Sequence, residues 1–241
     1  MKTITSISNP LVKKYQKLDT KKHRDSEQLF IIEDEHLIIE AQKLNIIKEV
    51  LVLEDYALEY SYDNMTIVTK EVMRKLSKNT SLNKIIAICH FINQPIKANE
   101  NYIILDNIQD PGNMGTIIRS ALAFGYHNII IGDDCVDIYN EKVLKATQGA
   151  LFYINLSRLN LVEFITKLKD YQIICSDLSS HKLMEDIKIT KKYALIFGNE
   201  GQGVKTEIIN LSSETYKIAI EYESLNVSIA TGISLYHFHK Q

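Results

Sequence analysis

Short apolar segments alternate with helical segments along most of this 241-residue chain. Strands that alternate with helices in this way are typical of a mostly parallel sheet with helices on both faces. We therefore expect an α/β fold. Beyond residue 100 the pattern predicts strands at Tyr102–Asp106, Asn128–Gly132, Gln172–Cys175, Tyr193–Phe197 and Tyr216–Ile220. It predicts helices at Met114–Gly125, around Tyr139–Gly149, at Leu161–Lys169 and at Leu225–Phe238.

A shorter alternating pattern precedes position 93. Residues 93–100 then break every periodicity with Pro95 and several polar side chains, as linkers do. The predicted organisation is a small N-terminal α/β domain at 1–92, a linker at 93–100 and a larger domain at 101–241. The small domain is predicted to hold strands at Leu29–Glu33, Lys48–Leu53, Thr66–Thr69 and Ile85–Phe91, and helices at Glu35–Leu44 and Lys70–Ser77.

The composition is that of an ordinary globular protein, with 45% hydrophobic and 24% charged residues. The N-terminus has no apolar segment of the signal-peptide type, and no apolar run reaches the roughly eighteen residues of a membrane span. Cys89, Cys135 and Cys175 are widely spaced and form neither a metal pattern nor a disulfide framework. We expect a cytoplasmic protein with reduced core thiols, no metal and no membrane partner.

The first 24 residues are strongly basic. They carry seven Lys and Arg residues against the single acidic Asp19, a net charge of +6, whereas the whole chain has a net charge of −2. On charge alone, a solvated helix face is the simpler interpretation. The same density of cations also suits a phosphate backbone. The candidate phosphate contacts are Lys13, Lys14, Lys17, Lys21, Lys22 and Arg24.

Three unusual loops each follow a predicted strand of the larger domain, at residues 107–113, 198–203 and 221–224. In open parallel sheets, ligands bind beyond the carboxyl ends of the strands. The second loop reads Gly-Asn-Glu-Gly-Gln-Gly, which is neither the dinucleotide fingerprint nor the P-loop. Because Glu200 would repel a phosphate, this loop suits an uncharged or cationic ligand.

Polar residues interrupt two otherwise apolar helical segments. Asn226 lies at the start of the last predicted helix, and Asn113 lies at the start of an earlier one. Each could be only a helix cap, because Asn accepts hydrogen bonds from backbone N–H groups there. Arg119 lies within that earlier, mostly apolar helix and could simply extend its charged end to solvent. The alternative is that these polar groups face a ligand.

Three of these segments together resemble the SpoU/TrmH-type RNA 2′-O-ribose methyltransferases of the SPOUT superfamily. The first motif is Asn113-Met-Gly-Thr-Ile-Ile-Arg119-Ser-Ala121, the second runs from Leu195 to Gly203, and the third is Ser224-Leu-Asn226-Val-Ser-Ile-Ala230. Residues 142–150 also look like the family's segment between the first two motifs. The resemblance covers roughly residues 101–241, and residues 1–92 are more loosely similar to the family's N-terminal substrate-binding domain.

Two positions depart from the family pattern. Asp34 replaces a glycine that is usual in the N-terminal domain, and Ala219 stands where proline is common. The turn before the third motif is also shorter than in many members.

The resemblance implies a C-terminal parallel sheet with a deep trefoil knot, a rare exception to unknotted chains. It implies S-adenosylmethionine as the cofactor, bound between the second and third motifs. It further implies a homodimer whose active site is completed across the interface. The implied cofactor-binding residues are Gly198, Gly201, Gly203, Ile218, Ile220 and Leu225.

The implied reaction needs an aligned ribose 2′-hydroxyl and a stabilised developing alkoxide. Arg119 matches the family's activating arginine and suits electrostatic stabilisation better than proton abstraction, because a guanidinium stays protonated. Asn226 and Glu200 would orient Arg119 and the ribose, and Asn113 would shape the pocket. Ribosomal RNA is the expected substrate, ahead of transfer RNA. Two alternatives remain: a non-catalytic RNA-binding protein of this fold, and a SPOUT enzyme that methylates a base.

Overall fold

The structure, a computed structural model, describes residues 2–56, 61–78 and 81–240. The chain divides into two compact units. The N-terminal unit comprises Met1–Asn93 and Tyr139–Lys145, and the C-terminal unit comprises Gln94–Ile138 and Ala146–Gln241. Residues 94–100 therefore belong to the C-terminal unit, where the Lys97 N–H donates to Asn128 Oδ1 at 3.0 Å. The domain and linker boundaries drawn from the sequence stay a prediction.

The N-terminal unit contains a five-stranded mixed sheet of order β1-β4-β3-β5-β2. Strand β5 is antiparallel to β2 and β3, and the other pairs are parallel. The four strands and two helices predicted after the basic segment are present, with ends shifted by at most one residue. The strands are β1 Lys2–Ile4, β2 Leu29–Ile32, β3 Ile47–Leu53, β4 Met65–Val68 and β5 Ile85–His90. The helices are α1 Pro10–Gln16, α2 Lys21–Glu27, α3 Glu35–Lys43 and α4 Lys70–Leu76.

Helix α1 begins where the sequence indicates, at Asn9-Pro10. The Asn9 side chain accepts a hydrogen bond from the Leu11 N–H at 2.9 Å, and proline fits the first helical position because it needs no donor there. The face that packs into the core carries Val12 and Tyr15. Leu11 is only partly buried.

The basic segment contains two kinds of cation. Lys13, Lys17, Lys21 and Lys22 are exposed, as a phosphate contact requires. The prediction for Arg24 is wrong, because Arg24 is only 5% exposed. Its Nη1 donates to the carbonyl oxygens of Leu18 at 2.7 Å and Asp19 at 2.9 Å. These carbonyls end a short helical turn and need donors, so the guanidinium has a structural partner inside the fold. Lys14 pairs with Glu27 at 2.6 Å.

The C-terminal unit contains a six-stranded sheet of order β11-β9-β10-β6-β7-β8, and every neighbouring pair is parallel. This confirms the predicted α/β fold. Strands β6, β7 and β10 are buried along their whole length, which explains their continuous apolar runs. The strands are β6 Tyr102–Leu105, β7 Asn128–Ile131, β8 Asn155–Arg158, β9 Gln172–Ser176, β10 Tyr193–Phe197 and β11 Glu214–Tyr216. The helices are α5 Pro111–Ala123, α7 Leu161–Lys167, α8 Thr206–Ile209 and α9 Val227–Phe238. Most of a further helix, α6 Glu141–Thr147, belongs to the N-terminal unit.

The last predicted strand is wrong in its position. We expected Tyr216–Ile220, but β11 ends at Tyr216, which pairs with Ser176 at the end of β9. Lys217 then turns to Lys182, and Ile218 to Ile220 leave the sheet. The sequence also gave no signal for β1 and β8. Both are edge strands, and β8 reads Asn-Leu-Ser-Arg, without an apolar run.

All three cysteines are free and buried, as expected for core thiols. Burial raises the pKa of the Cys175 thiol to about 12 and also raises the pKa of Cys89. These thiols are therefore neutral and unreactive at neutral pH. Among the helices of the described residues, none combines the length and the hydropathy that a membrane span needs.

The buried guanidinium of Arg24 generates a stability prediction. Arg24→Gln should lower the free energy of unfolding by about 2 kcal/mol, because it leaves the Leu18 and Asp19 carbonyls without their charged donor. Lys22→Gln is the matched control, since Lys22 is exposed and its loss should change stability by less than about 0.5 kcal/mol. Urea unfolding measures both. Equal midpoints for the two variants would contradict the structural role of Arg24.

Candidate active site

The loop after β10, residues 198–203, is built around the side chain of Asn199. Its Oδ1 accepts hydrogen bonds from the N–H groups of Gly201 at 2.9 Å and Gln202 at 3.1 Å. Its Nδ2 donates to the carbonyl of Asn107 at 3.0 Å, in the loop after β6. Asn199 and Gly203 also exchange two backbone hydrogen bonds. Asn199 thus folds one loop and ties it to the next, a role that our reading of the sequence missed.

The glycines of this loop differ in what they tolerate. A Cβ on Gly198 would overlap the carbonyl carbon of Gly203 and the backbone nitrogen of Val204, so only glycine fits there. Gly203 has a φ of +71°, which favours glycine for a conformational reason. At Gly201 the nearest atom to an added Cβ is Asn199 Oδ1 at 3.6 Å, an ordinary contact. Packing within the chain therefore requires Gly198 and leaves room at Gly201.

The three motif loops meet in one chain of hydrogen bonds. Asn113 Nδ2 donates to Glu200 Oε1 at 2.6 Å, and Asn226 Nδ2 donates to Asn113 Oδ1 at 2.9 Å. These partners are 87 and 113 positions apart in the sequence. Three of the four predicted catalytic residues are thus in contact, and we call them the Glu200–Asn113–Asn226 network.

Helix capping holds this network in place. Asn226 caps α9, and its Oδ1 accepts from the Ser228 N–H at 2.9 Å and the Ser228 hydroxyl at 2.6 Å. The interpretation of Asn226 as a helix cap is therefore confirmed, and the same side-chain amide also joins the network. Asn113 is not a cap, because Asp110 caps α5 by accepting the Asn113 N–H at 2.8 Å. The Asn113 amide is left free for the network.

Arg119, the fourth predicted catalytic residue, lies apart from the network. A helix turns by about 100° per residue, so Arg119 projects from a different side of α5 than Asn113, six residues earlier. Its side chain is exposed, and no hydrogen bond or ion pair joins it to another residue in the described ranges 2–56, 61–78 and 81–240. Within one chain, Arg119 and the network do not form one site.

A cavity of about 560 Å³ borders this network. Its lining includes Glu200, and it extends to the segment between β11 and α9 and to the loop after β9. Our reading of the sequence missed the β9 loop, which contributes Asp177 to Ser179. The signal was present, because these polar residues directly follow a predicted strand. All six predicted cofactor-binding residues line the cavity: Gly198, Gly201, Gly203, Ile218, Ile220 and Leu225.

The backbone of the segment 218–225 is available to a ligand. No hydrogen bond joins its N–H and C=O groups to another residue that the structure describes. Residues 218–225 are exposed or half-buried, so these groups can bond to water or to a molecule bound in the cavity.

The charged side chains that line the cavity are mostly acidic. Asp177, Glu200 and Glu223 contribute carboxylates, against Lys217 alone. This balance favours a ligand with positive charge, one of the two kinds of ligand, uncharged or cationic, that the sequence of the glycine loop indicated. Among the described residues, no group of His, Cys, Asp and Glu side chains is arranged to hold a metal ion.

A buried carboxylate fixes the far end of the glycine loop. Asp106, at the end of β6, is almost fully buried and accepts the Lys205 N–H at 2.8 Å. The Lys205 ammonium donates to Asp134 at 2.7 Å, and this hydrogen bond raises the pKa of Lys205 and lowers that of Asp134. The loop is thus held at Asn199 and again at Lys205.

Helix α9 keeps an apolar stripe on its outer side. Ile229, Ile233 and Tyr236 are spaced to share one side of the helix, and each is between 37% and 55% exposed. The helix also packs against α5, which carries Arg119. Within a single chain this mostly apolar helix is therefore buried on its inner side only.

Comparisons with known proteins give two family matches. The model of the SpoU rRNA Methylase family matches residues 100–236, and that of the MRM3-like substrate binding domain matches residues 9–87. The 23S rRNA (guanosine(2553)-2′-O)-methyltransferase RlmP of Bacillus subtilis is 32% identical over 245 residues, which cover 98% of this chain and 99% of that protein.

Solved structures show the same similarity. An rRNA methyltransferase from Sinorhizobium meliloti aligns with a TM-score of 0.86 and 29% identity, over 98% of this chain and 96% of that one. The AdoMet-bound structure from the same organism aligns with a TM-score of 0.85 and 28% identity, over the same shares.

The crowding at Gly198 generates a second prediction. Gly198→Ala should lower the free energy of unfolding by about 1–3 kcal/mol, because the added methyl group forces the Gly203–Val204 backbone away. Gly201→Ala adds the same methyl group to the same loop and should change stability far less. Thermal unfolding of the two proteins measures the difference. Equal loss in both variants would show that the loop has no specific need for glycine at 198.

Proposed function

Because the chain belongs to the SpoU rRNA methylase family, we propose that it methylates a ribose 2′-hydroxyl of 23S rRNA with S-adenosylmethionine as methyl donor. The observation that carries the proposal is the Glu200–Asn113–Asn226 network at the edge of a cavity. The name of the B. subtilis relative and the AdoMet-bound neighbour support the substrate and the cofactor. We place the protein in the cytoplasm, where bacterial ribosomal RNA is found.

The residues of the cavity fit S-adenosylmethionine. The free backbone groups of 218–225 suit its polar adenine and ribose atoms, and the side chains of Ile218, Ile220 and Leu225 suit the adenine faces. Gly198 lets the chain approach closely, and the acidic lining suits a cation. When bound, the cofactor supplies a methyl group on a positively charged sulfur.

Glu200 and the two asparagines orient the ribose. Glu200 uses Oε1 for Asn113, and within the described part of the chain its Oε2 receives no hydrogen bond. That oxygen can accept a hydrogen bond from the ribose 2′-hydroxyl. Asn113 and Asn226 hold the carboxylate in one position, because each amide is fixed by its own partners. Such positioning accounts for much of the rate gain in a transfer between two bound molecules.

Arg119 supplies positive charge as the hydroxyl loses its proton to a neighbouring RNA phosphate or to water. A guanidinium stays protonated, so it stabilises the developing negative charge on the 2′-oxygen and does not act as the base. Within one chain, no hydrogen bond among the described residues joins Arg119 to the network, so we consider a second subunit. We propose a homodimer in which Arg119 completes the site of the partner subunit. The exposed apolar stripe of α9 supports this arrangement, because such a stripe beside α5 marks an association surface.

We also propose that the C-terminal unit contains the trefoil knot of its family. One observation supports it. The segment 218–225, after leaving the sheet, borders the same cavity as the loop 198–203. A knot would hold these two segments together without hydrogen bonds between them.

The N-terminal unit is proposed to bind the RNA, as the substrate-binding family model supports. Lys13, Lys17, Lys21 and Lys22 are exposed and serve as phosphate contacts. Lys14 is half-exposed beside Glu27, and RNA phosphates can compete for it because exposed ion pairs are weak. Arg24 is left out of this set because of its burial.

Methyl transfer to unmethylated 23S rRNA with labelled cofactor tests the function. The product should be a ribose-methylated nucleotide that resists alkaline cleavage on its 3′ side. Label in a base, or no label, would reject the proposal. Arg119→Ala should lower the rate about a hundredfold or more and leave S-adenosylhomocysteine affinity unchanged. Arg119→Lys should also be strongly impaired, because a point charge does not reproduce the planar guanidinium.

Mixed dimers test whether Arg119 acts across the interface. Arg119→Ala and Asn226→Ala proteins should each be inactive. A mixed dimer of the two contains one site with an intact Arg119 from one subunit and an intact Asn226 from the other. Co-refolding the two proteins should therefore restore part of the activity. If Arg119 acts within its own subunit, both sites of the mixed dimer stay defective and no activity returns.

The lysines generate a prediction about salt. Replacing Lys13, Lys17, Lys21 and Lys22 with Gln should weaken RNA binding and flatten its salt dependence by about one slope unit per lost contact. A matched control replaces four exposed lysines of the C-terminal unit, which removes the same charge: Lys167, Lys169, Lys191 and Lys192. Filter binding at several salt concentrations measures both. Equal slopes for the two variants would mean that net charge alone matters.

A further inference from the structure

Tyr222 is an aromatic side chain that the chain leaves in solvent. It is 82% exposed, more than any other large hydrophobic side chain among the described residues. Neither its hydroxyl nor its backbone forms a hydrogen bond with another residue that the structure describes. The ring therefore contributes nothing visible to the fold of a single chain.

The position of Tyr222 places it at the rim of the candidate active site. It lies in the turn between Ile220 and Leu225, and both of these residues line the cavity, as do Glu223 and Ser224. Asn226, a member of the network, follows four residues later in the chain. Any nucleotide whose ribose reaches the network therefore comes close to this turn.

The reaction itself requires a place for a base. A ribose hydroxyl can enter a concave site only if its nucleotide leaves the regular stack, and the base leaves with it. Proteins hold such unstacked bases on exposed aromatic rings, which accept any base because every base has a flat π-face. The base is bonded to the same ribose that the network orients, so it lies within a few ångströms of the reacting oxygen.

The charges beside Tyr222 favour a base over a phosphate. Glu221 and Glu223 flank the ring on both sides in the sequence, and both are exposed. Two carboxylates repel the RNA backbone at this point, whereas a neutral base carries no charge to repel. The turn thus presents one ring to the base and keeps phosphates at a distance.

We propose that Tyr222 stacks on the base of the nucleotide whose ribose is methylated. The proposal rests on the function proposed above and adds the residue that receives the substrate base. Tyr222 is a substrate-binding residue in this scheme, and the contact needs its ring but not its hydroxyl.

Three substitutions of Tyr222 in the full-length protein test the stacking contact on unmethylated 23S rRNA. Tyr222→Ala should lower kcat/KM for RNA about tenfold to a hundredfold, and Tyr222→Phe should stay close to wild type. Tyr222→Leu keeps apolar surface without a ring, and its kcat/KM should lie between those of the other two variants. The affinity for S-adenosylhomocysteine and the unfolding midpoint should not change. Tyr153→Ala removes another exposed tyrosine of the C-terminal unit and should have no effect on kcat/KM.

RNA that lacks the base at the target nucleotide, with its ribose intact, identifies what the ring contacts. On this RNA the kcat/KM of the wild-type protein should fall to that of Tyr222→Ala. The kcat/KM of the variant should be the same on this RNA as on RNA with the base. An equal additional loss of kcat/KM in the variant would show that Tyr222 contacts something other than the base.

A loss of dimer in Tyr222→Ala, seen by sedimentation, would reassign the residue to the subunit interface. If wild-type protein methylates no RNA, the proposed function itself fails; if it does and Tyr222→Ala matches it, only the stacking proposal fails.

Discussion

The close approach of the chain to itself at Gly198 is the constraint on which the candidate site depends. The backbone of Gly203 and Val204 occupies the space that any Cβ at position 198 would need. This close approach is part of a tight turn, and the side-chain amide of Asn199 stabilises that turn. The folded loop places Glu200 within hydrogen-bond distance of Asn113. The positions of Glu200, of the two asparagines and of the cavity therefore depend on the absence of a Cβ atom at Gly198.

The parallel sheet explains why the three motifs meet. All six strands run in the same direction, so every loop that follows a strand leaves from the same edge. The loops after β6 and β10 lie on neighbouring strands, and the amide of Asn199 bonds directly to the carbonyl of Asn107. The segment before α9 reaches the same edge after it leaves β11, and Asn226 closes the network from that side. The sheet supplies the meeting point, and side-chain amides supply the contacts.

Several exposed groups of the C-terminal unit lack a binding partner within the single chain. Arg119 has no ionic partner among the described residues, the stripe from Ile229 to Tyr236 is partly exposed, and Tyr222 projects into solvent. Exposed apolar surface and an unpaired charge are typical of surfaces that bind something. A second subunit suits the first two, and the substrate base suits the third. The fold of one chain thus specifies the site only in part.

The sequence by itself determined the type of fold, most element boundaries and the residues of the network. Those features follow from local patterns: apolar runs define strands, Asn9-Pro10 starts a helix, and a resemblance carried by three short motifs points to Glu200, Asn113 and Asn226. Only the tertiary structure decided which of two similar residues is buried and which is exposed. Lys22 and Arg24 belong to one basic run, but Arg24 alone is buried, because it donates to two carbonyls that end a helical turn and need donors.

The same holds for the residues that the sequence left unassigned or placed wrongly. Asn199 gave no signal of its own, since its importance comes from a neighbouring loop that is 92 positions away. Ile218 to Ile220 have the composition of a strand but leave the sheet, because the partner strand β9 ends at Ser176. A local pattern records what a segment can form, whereas the available partners decide what it does form. Partners that are distant in sequence become visible only when the chain is folded.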